Sequence, residues 1–267
     1  MISTGTSTAT AAHQRDPSVI EQYVERPPFS GFLPGIAGPY GTPMWVFYSN
    51  RGQLITSFGV GNKNGAFLEF HPANRAYQLV NLFGFRTIIV PRGSDPSTGS
   101  VYEPFRPTPG GPDRTSSMIV QPHVVGATEE TDRYRASISY STVPNERYAG
   151  LLRSLSVENV SNTTVQFTLV DGLPAVVPFG VTDEQLKMIS NTALAWMFGN
   201  TRVDSSGIQI ATYRIPAQIA DVTRVETVSA THFASATLTY GGECRPVPLL
   251  LDPRDVFGSD DSMSTVC

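Results

Sequence analysis

"MWVFYSNRGQLITSFGVGNKNGAFLEF" runs from Met44 to Phe70, and its reading decides the fold. Its first six residues, 44–49, are rich in aromatic and β-branched side chains, which pack well on a pleated surface. Asn50-Arg51-Gly52 then supplies turn chemistry, with Gly52 free to take positive φ. A partner strand follows over 53–60. Asn62-Lys63-Asn64-Gly65 makes a second turn, and "AFLEF", 66–70, completes a three-stranded meander. Strand geometry puts Trp45 and Phe47 on one face, Val46 and Tyr48 on the other. One aromatic set can then fill a core while the other reaches a surface.

The same signals recur outward from this stretch. Further strand candidates are 84–91, 116–125, 134–142, 151–160, 164–171, 207–214, 222–230 and 232–241. "RYRASISYS" (133–141) and "HFASATLTY" (232–240) alternate apolar with polar, as a half-buried strand does. Before the meander, "YVERPPFSGFLPGIAGPYGTP" (23–43) is apolar but broken by Pro and Gly, which predicts an extended segment laid across the fold. Residues 92–116 form a long Pro/Gly/Ser loop. One helix interrupts the strands, near 183–198. Thr182 or Asp183 can cap it, Leu186, Ile189, Leu194 and Met197 recur on one face, and Gly199 ends it. Ten or more strands with one short helix predict a mainly β chain: a large antiparallel β-sandwich (a supersandwich) over 21–258, after a flexible tail, 1–20.

Composition narrows the function. Hydrophobic residues make up 40% and charged residues 16%, a balance that suits short strands over long charged helices. A net charge of −4 offers no field to attract nucleic acid. Two cysteines, Cys244 and Cys267, make neither a disulfide framework nor a zinc site. His13, His71, His123 and His232 stand apart from one another, without metal-ligand spacing, so no metal is expected. No stretch is apolar enough to span a bilayer, and 1–18 has no apolar run of the signal-peptide kind, so the expected compartment is the cytoplasm. P-loop, dinucleotide, nucleophile-elbow and zincin signatures are missing.

Carboxylates are the remaining route to chemistry, because sugar cleavage runs on them. Asp171, in "LVDGLPAVVPFG", is expected to end a strand and bond forward to the amides of a tight turn. Glu69 can point outward or pair with an arginine. No two carboxylates stand out as a pair, so no catalytic residue and no cofactor are expected. The opening bend is the candidate for binding. Trp45, Tyr48, Asn50 and Arg51 combine flat apolar rings with polar forks, which a sugar surface requires. Core packing for the rings and turn formation for Asn50 are the competing reading.

Several of these motifs also resemble a known family. "FSGFLPGIAGPYGTPMWVFYSNRGQLITSFGVGNKNGAFLEFHPANRAYQ" (29–78), "GFRTIIV" (84–90), "RSLSVENVSNTTVQFTLVDGLPAVVPFGV" (153–181) and "DPRDVFG" (252–258) resemble, in this order, the N-terminal region of glycoside phosphorylases related to cellobiose phosphorylase, above all those for β-glucooligosaccharides. The resemblance implies an N-terminal β-sandwich, a helical linker, an (α/α)6 barrel holding the catalytic Asp and phosphate site, and a small C-terminal β-domain. Inorganic phosphate would be the co-substrate and a β-linked glucooligosaccharide the sugar. The sequence ends at "DVFGSDDSMSTVC", so 259–267 is expected to be the start of a truncated linker, with the catalytic barrel missing and the chain inactive alone. Its expected role is to buttress the barrel, form the subunit interface and edge the sugar cleft. A stand-alone carbohydrate-binding module is the alternative, and a self-contained sugar enzyme is a third. Apolar surface left uncovered, above all 29–47, predicts a homodimer.

Overall fold

The meander is the centre of a four-stranded antiparallel sheet. It is made by β2 (Ser30–Phe32), β3 (Met44–Ser49), β4 (Ile55–Val60) and β5 (Ala66–Leu68), in that order. The computed structural model describes residues 18–92, 101–107, 113–189, 197–219 and 223–260. Facing this sheet is a five-stranded one in the order β1 (Ser18–Glu21), β7 (Thr115–Val120), β8 (Val125–Glu130), β9 (Tyr134–Thr142) and β10 (Leu151–Asn159). Every pairing in both sheets is antiparallel.

One apolar core joins the two layers. Val46, Tyr48, Phe58 and Leu68 come from the first sheet, and Met118, Val125, Ala136, Ile138 and Tyr140 from the second. Alternation in 133–141 is obeyed: Tyr134, Ala136, Ile138 and Tyr140 are buried and the residues between them are not. A fully buried side chain of Ile138's size contributes about 1.5–3 kcal/mol by leaving water, the Ala136 methyl less. The chain is mainly β and of the sandwich class.

The remaining strands form smaller antiparallel units. β6 (Arg86–Pro91) pairs with β11 (Phe167–Gly172), covering a second core around Ile89, Tyr102 and Tyr134. β12 (Phe198–Val203), β13 (Gln209–Arg214) and β14 (His232–Ser235) make a three-stranded sheet, and β15 (Thr237–Tyr240) with β16 (Glu243–Pro246) a hairpin. The expected strand over 232–241 is therefore two strands, which pair with different neighbours. Of 222–230, the residues described hold only an isolated bridge at Thr227.

The expectation of a single helix needs correcting. Among the described residues the longest helix is α1 (Ala73–Phe83), within a stretch without a strand candidate. Pro72 opens it, where a missing N–H costs nothing, Ala76 and Val80 share its buried face, and Gly84 follows its end. α2 covers Asp183–Ile189, beginning where Thr182 was expected to cap. The Thr182 hydroxyl accepts from the Gln185 N–H at 3.2 Å, while Gln185 Oε1 accepts from the Thr182 N–H at 2.9 Å, a capping box. Residues 190–196, which include Leu194, lie outside the described residues, and Phe198 already belongs to β12. A further four-residue helix among the described residues, α3 (Arg254–Phe257), lies near the end. The expected tail also ends sooner: Ser18–Ile20 are paired with Met118–Val120, and 1–17 lie outside the described residues. So do 261–267 of the expected linker.

Candidate functional site

The bend after β3 is a lock. Asn50 is wholly buried, and its side-chain amide straps the extended segment before β2 onto the meander. Its Oδ1 accepts from the Phe29 N–H at 2.9 Å, and Nδ2 lies 3.0 Å from the carbonyls of both Tyr23 and Pro27. Arg51 donates to the Asn50 carbonyl at 2.7 Å and to the Arg26 carbonyl at 3.0 Å. From the other side, the Tyr23 hydroxyl donates to the Gly52 carbonyl at 2.8 Å. Gly52 has φ +52°, and a Cβ there would stand 2.6 Å from Asn81 Oδ1 on α1, so glycine is required twice over.

This geometry separates the four residues read as sugar contacts. Tyr48 lies in the main core, where burial raises its phenol pKa. Asn50 and Arg51 spend their donors on backbone carbonyls. Trp45 alone is on the outer face, its indole N–H donating to the Asn62 carbonyl at 3.2 Å. They do not converge on one surface, because a strand sends neighbours to opposite faces and the bend closes over its own polar groups.

Trp45 belongs instead to a group of rings on the outer face of the first sheet. Ring centroids lie 3.8 Å apart for Phe32 and Phe47, 5.2 Å for Phe47 and Phe70, and 6.1 Å for Trp45 and Phe70. Interplanar angles of 58° and 80° mean that rings lean on one another's edges. Phe32 stands on top, 59% exposed, and the Lys63 ammonium lies 4.6 Å from the Phe70 centroid. Sugar platforms lay ring faces flat toward the ligand. This cluster is packed more like a small core with one side open.

Polar side chains in the interior form networks that the sequence reading missed. Arg153 Nη2 donates to Gln53 Oε1 at 2.6 Å, to Asp171 Oδ1 at 2.9 Å and to Thr87 Oγ1 at 3.1 Å, while Nη1 pairs with Asp171 Oδ2. Thr87 Oγ1 donates to Asp171 at 2.6 Å. Asp171 thus accepts from side chains, where forward bonding to turn amides was expected. Arg153 Nε reaches the Tyr140 hydroxyl at 3.2 Å, and burial pushes that phenol up to about 12. A second network surrounds Glu129, which accepts from the Tyr102 hydroxyl at 2.6 Å, the Phe105 N–H at 3.0 Å and Arg114 at 3.3 Å. Burial and then this carboxylate raise the Tyr102 pKa. Glu103 holds Arg86 at 2.6 Å and Arg106 at 2.9 Å. A sequence signal existed: Arg153 and Glu129 occupy the inward phase of alternating strands, beside Leu155 and Ala127.

A cleft lined by Gln53, Asn81, Arg86, Glu103 and Arg106 holds about 10 Å³, enough for one water. Glu69 lies 3.7 Å from His71, and His123 is exposed in the β7–β8 turn. Among the described residues no three His, Cys, Asp or Glu are grouped to hold a metal, and no helix is long and apolar enough to cross a membrane. No protein-family model matches the chain, and no curated protein matches it either.

Proposed function

We propose that this chain is the non-catalytic N-terminal β-sandwich of a glycoside phosphorylase acting on β-linked glucooligosaccharides, supporting an (α/α)6 catalytic barrel and edging its sugar cleft. One observation supports the reading above the others. The polar residues of the phosphorylase-like motifs, Gln53, Thr87, Arg153 and Asp171, come from separate stretches and meet in a single network, buried at Gln53 and Thr87 and open to solvent at Asp171. Motif residues that converge on scaffold interactions suit a supporting domain. In such an enzyme phosphate attacks the anomeric carbon, so one acid from the barrel suffices where hydrolases use two carboxylates. A cytoplasmic setting and a homodimer accompany this reading, since phosphorolysis draws on the cell's inorganic phosphate.

Sequencing the coding locus on both sides tests it. An (α/α)6 barrel in the same or an adjacent frame is the expected result, and its absence from both overturns the reading. The purified chain with inorganic phosphate and β-linked glucooligosaccharides is expected to release no sugar 1-phosphate. The second reading, a carbohydrate-binding module, draws on Trp45 lying on an outer face with its N–H already satisfied. Calorimetry separates the two: binding heat at millimolar oligosaccharide that vanishes in Trp45→Ala favours the module.

A further inference from the structure

The second turn of the meander carries an inference about chemical modification. Asn64-Gly65 is the only Asn-Gly pair in the sequence, and Asn64 is exposed. An asparagine before glycine is open to attack by its own main chain, because no side chain shields the amide nitrogen that follows. The Gly65 nitrogen adds to Asn64 Cγ, its proton is lost to solvent, and the Cγ–Nδ2 bond breaks to release ammonia. Water then opens the five-membered imide at either carbonyl, leaving aspartate or isoaspartate.

The fold holds both reacting groups out of line. Lys63–Gly65 form a single 3-10 turn, so Asn64 has a helical ψ, and ring closure needs rotation about its Cα–C bond. The Gly65 N–H donates to the Asn62 carbonyl at 3.0 Å, an oxygen too weakly basic to take its proton. That carbonyl also accepts from the Trp45 indole N–H at 3.2 Å, and Asn62 Oδ1 accepts from the Asn64 N–H at 2.9 Å. The Asn64 side chain is held from 119 positions away: its Oδ1 accepts at 2.9 Å from the N–H of Asp183, the first residue of α2. We infer that Asn64 is a deamidation site guarded by docked α2, modified only when the turn opens, so that the product records the opening irreversibly. Isoaspartate adds a methylene to the main chain. Gly65 already packs so closely that a Cβ on it would overlap the Val60 carbonyl oxygen, so the turn must spread to hold the addition. The modified turn then holds α2 more loosely. This assignment does not depend on the phosphorylase reading.

Peptide mass spectrometry on the full chain, kept in mildly alkaline buffer, tests this, with isoaspartyl methyltransferase labelling to identify the isomer. Modification of Asn64 is expected to be slower in the folded chain than in urea by about tenfold or more. Equal rates, or no modification in urea, overturn the inference. Asp183→Pro removes the guarding N–H at the first helical position, where proline is tolerated. It is expected to raise the folded-state rate about two- to tenfold over Asp183→Ala, which loses the same carboxylate but keeps the N–H. Equal rates in these two variants, with native circular dichroism spectra, overturn the assignment to α2. Asn62→Ala frees the Asn64 N–H from the other side of the turn and leaves α2 untouched. It is expected to raise the rate likewise. Where proline disturbs α2, this variant decides, and an unchanged rate in it overturns the inference.

Discussion

Asn50 shows how a residue suited to ligand recognition is used up by the chain itself. Its amide serves four backbone groups of the segment that precedes β2, the Phe29 N–H and the carbonyls of Tyr23, Arg26 and Pro27. Asn50→Ala leaves them without partners and is expected to cost about 2–4 kcal/mol, read as a lower urea midpoint at unchanged slope. Arg51→Ala, at a half-exposed position, is expected to cost under about 1 kcal/mol. Arg153→Met removes donors from Gln53, Thr87 and the solvent-exposed Asp171 and is expected to lose about 1–3 kcal/mol in the same measurement. A loss of sugar binding without a loss of stability in Asn50→Ala would return that residue to a recognition role.

At the scale of elements, β14 is joined to the first sheet through one imidazole. His232 Nδ1 lies 2.9 Å from the Val177 carbonyl, so the neutral ring carries its proton there and donates it. The ring packs 5.1 Å from Phe67 and 5.3 Å from Phe179, centroid to centroid. Burial holds its pKa below the ordinary 6.5, against the opposing pull of the Val177 carbonyl. An unfolded chain therefore takes up this proton before the folded one does. Stability from this group is complete above pH 6.5 and declines as pH falls below it. Thermal unfolding between pH 7.5 and 5 is expected to show a falling midpoint whose slope diminishes in His232→Gln. α1 is amphipathic, with Ala76 and Val80 on its buried face, and its place is fixed by contact with β4 and the Gly52 turn.

For the molecule as a whole, the two large sheets enclose one core, and the polar networks staple the smaller β6–β11 unit to it. Such an arrangement serves many unrelated tasks, so the fold does not choose among them. The outer ring cluster around Phe32 and Trp45 is the feature most suited to being covered. Phe32→Ser is expected to raise solubility while changing the unfolding free energy from urea titration by less than about 1 kcal/mol, because its ring is mostly exposed already. A large loss of stability would mean that the cluster is integral to the fold.

The strands β3, β4 and β9 were legible because alternation is a local property: a side chain two residues on must share a face whatever the rest of the chain does; β8 was missed, and the candidate 116–125 ran through the turn that precedes it. The turn glycine at Gly52 was legible for the same reason. Partner choice was not. Arg153 and Gln53 are 100 positions apart, and Thr87 and Asp171 are 84 apart. No local pattern encodes which distant carboxylate or amide will face a buried guanidinium. Sequence alone determined that antiparallel strands form here and which of their faces are apolar. Tertiary structure alone decided that Asn50 and Tyr48 turn inward while Trp45 turns out, because burial is a relation between elements and exists only once the sheets have met.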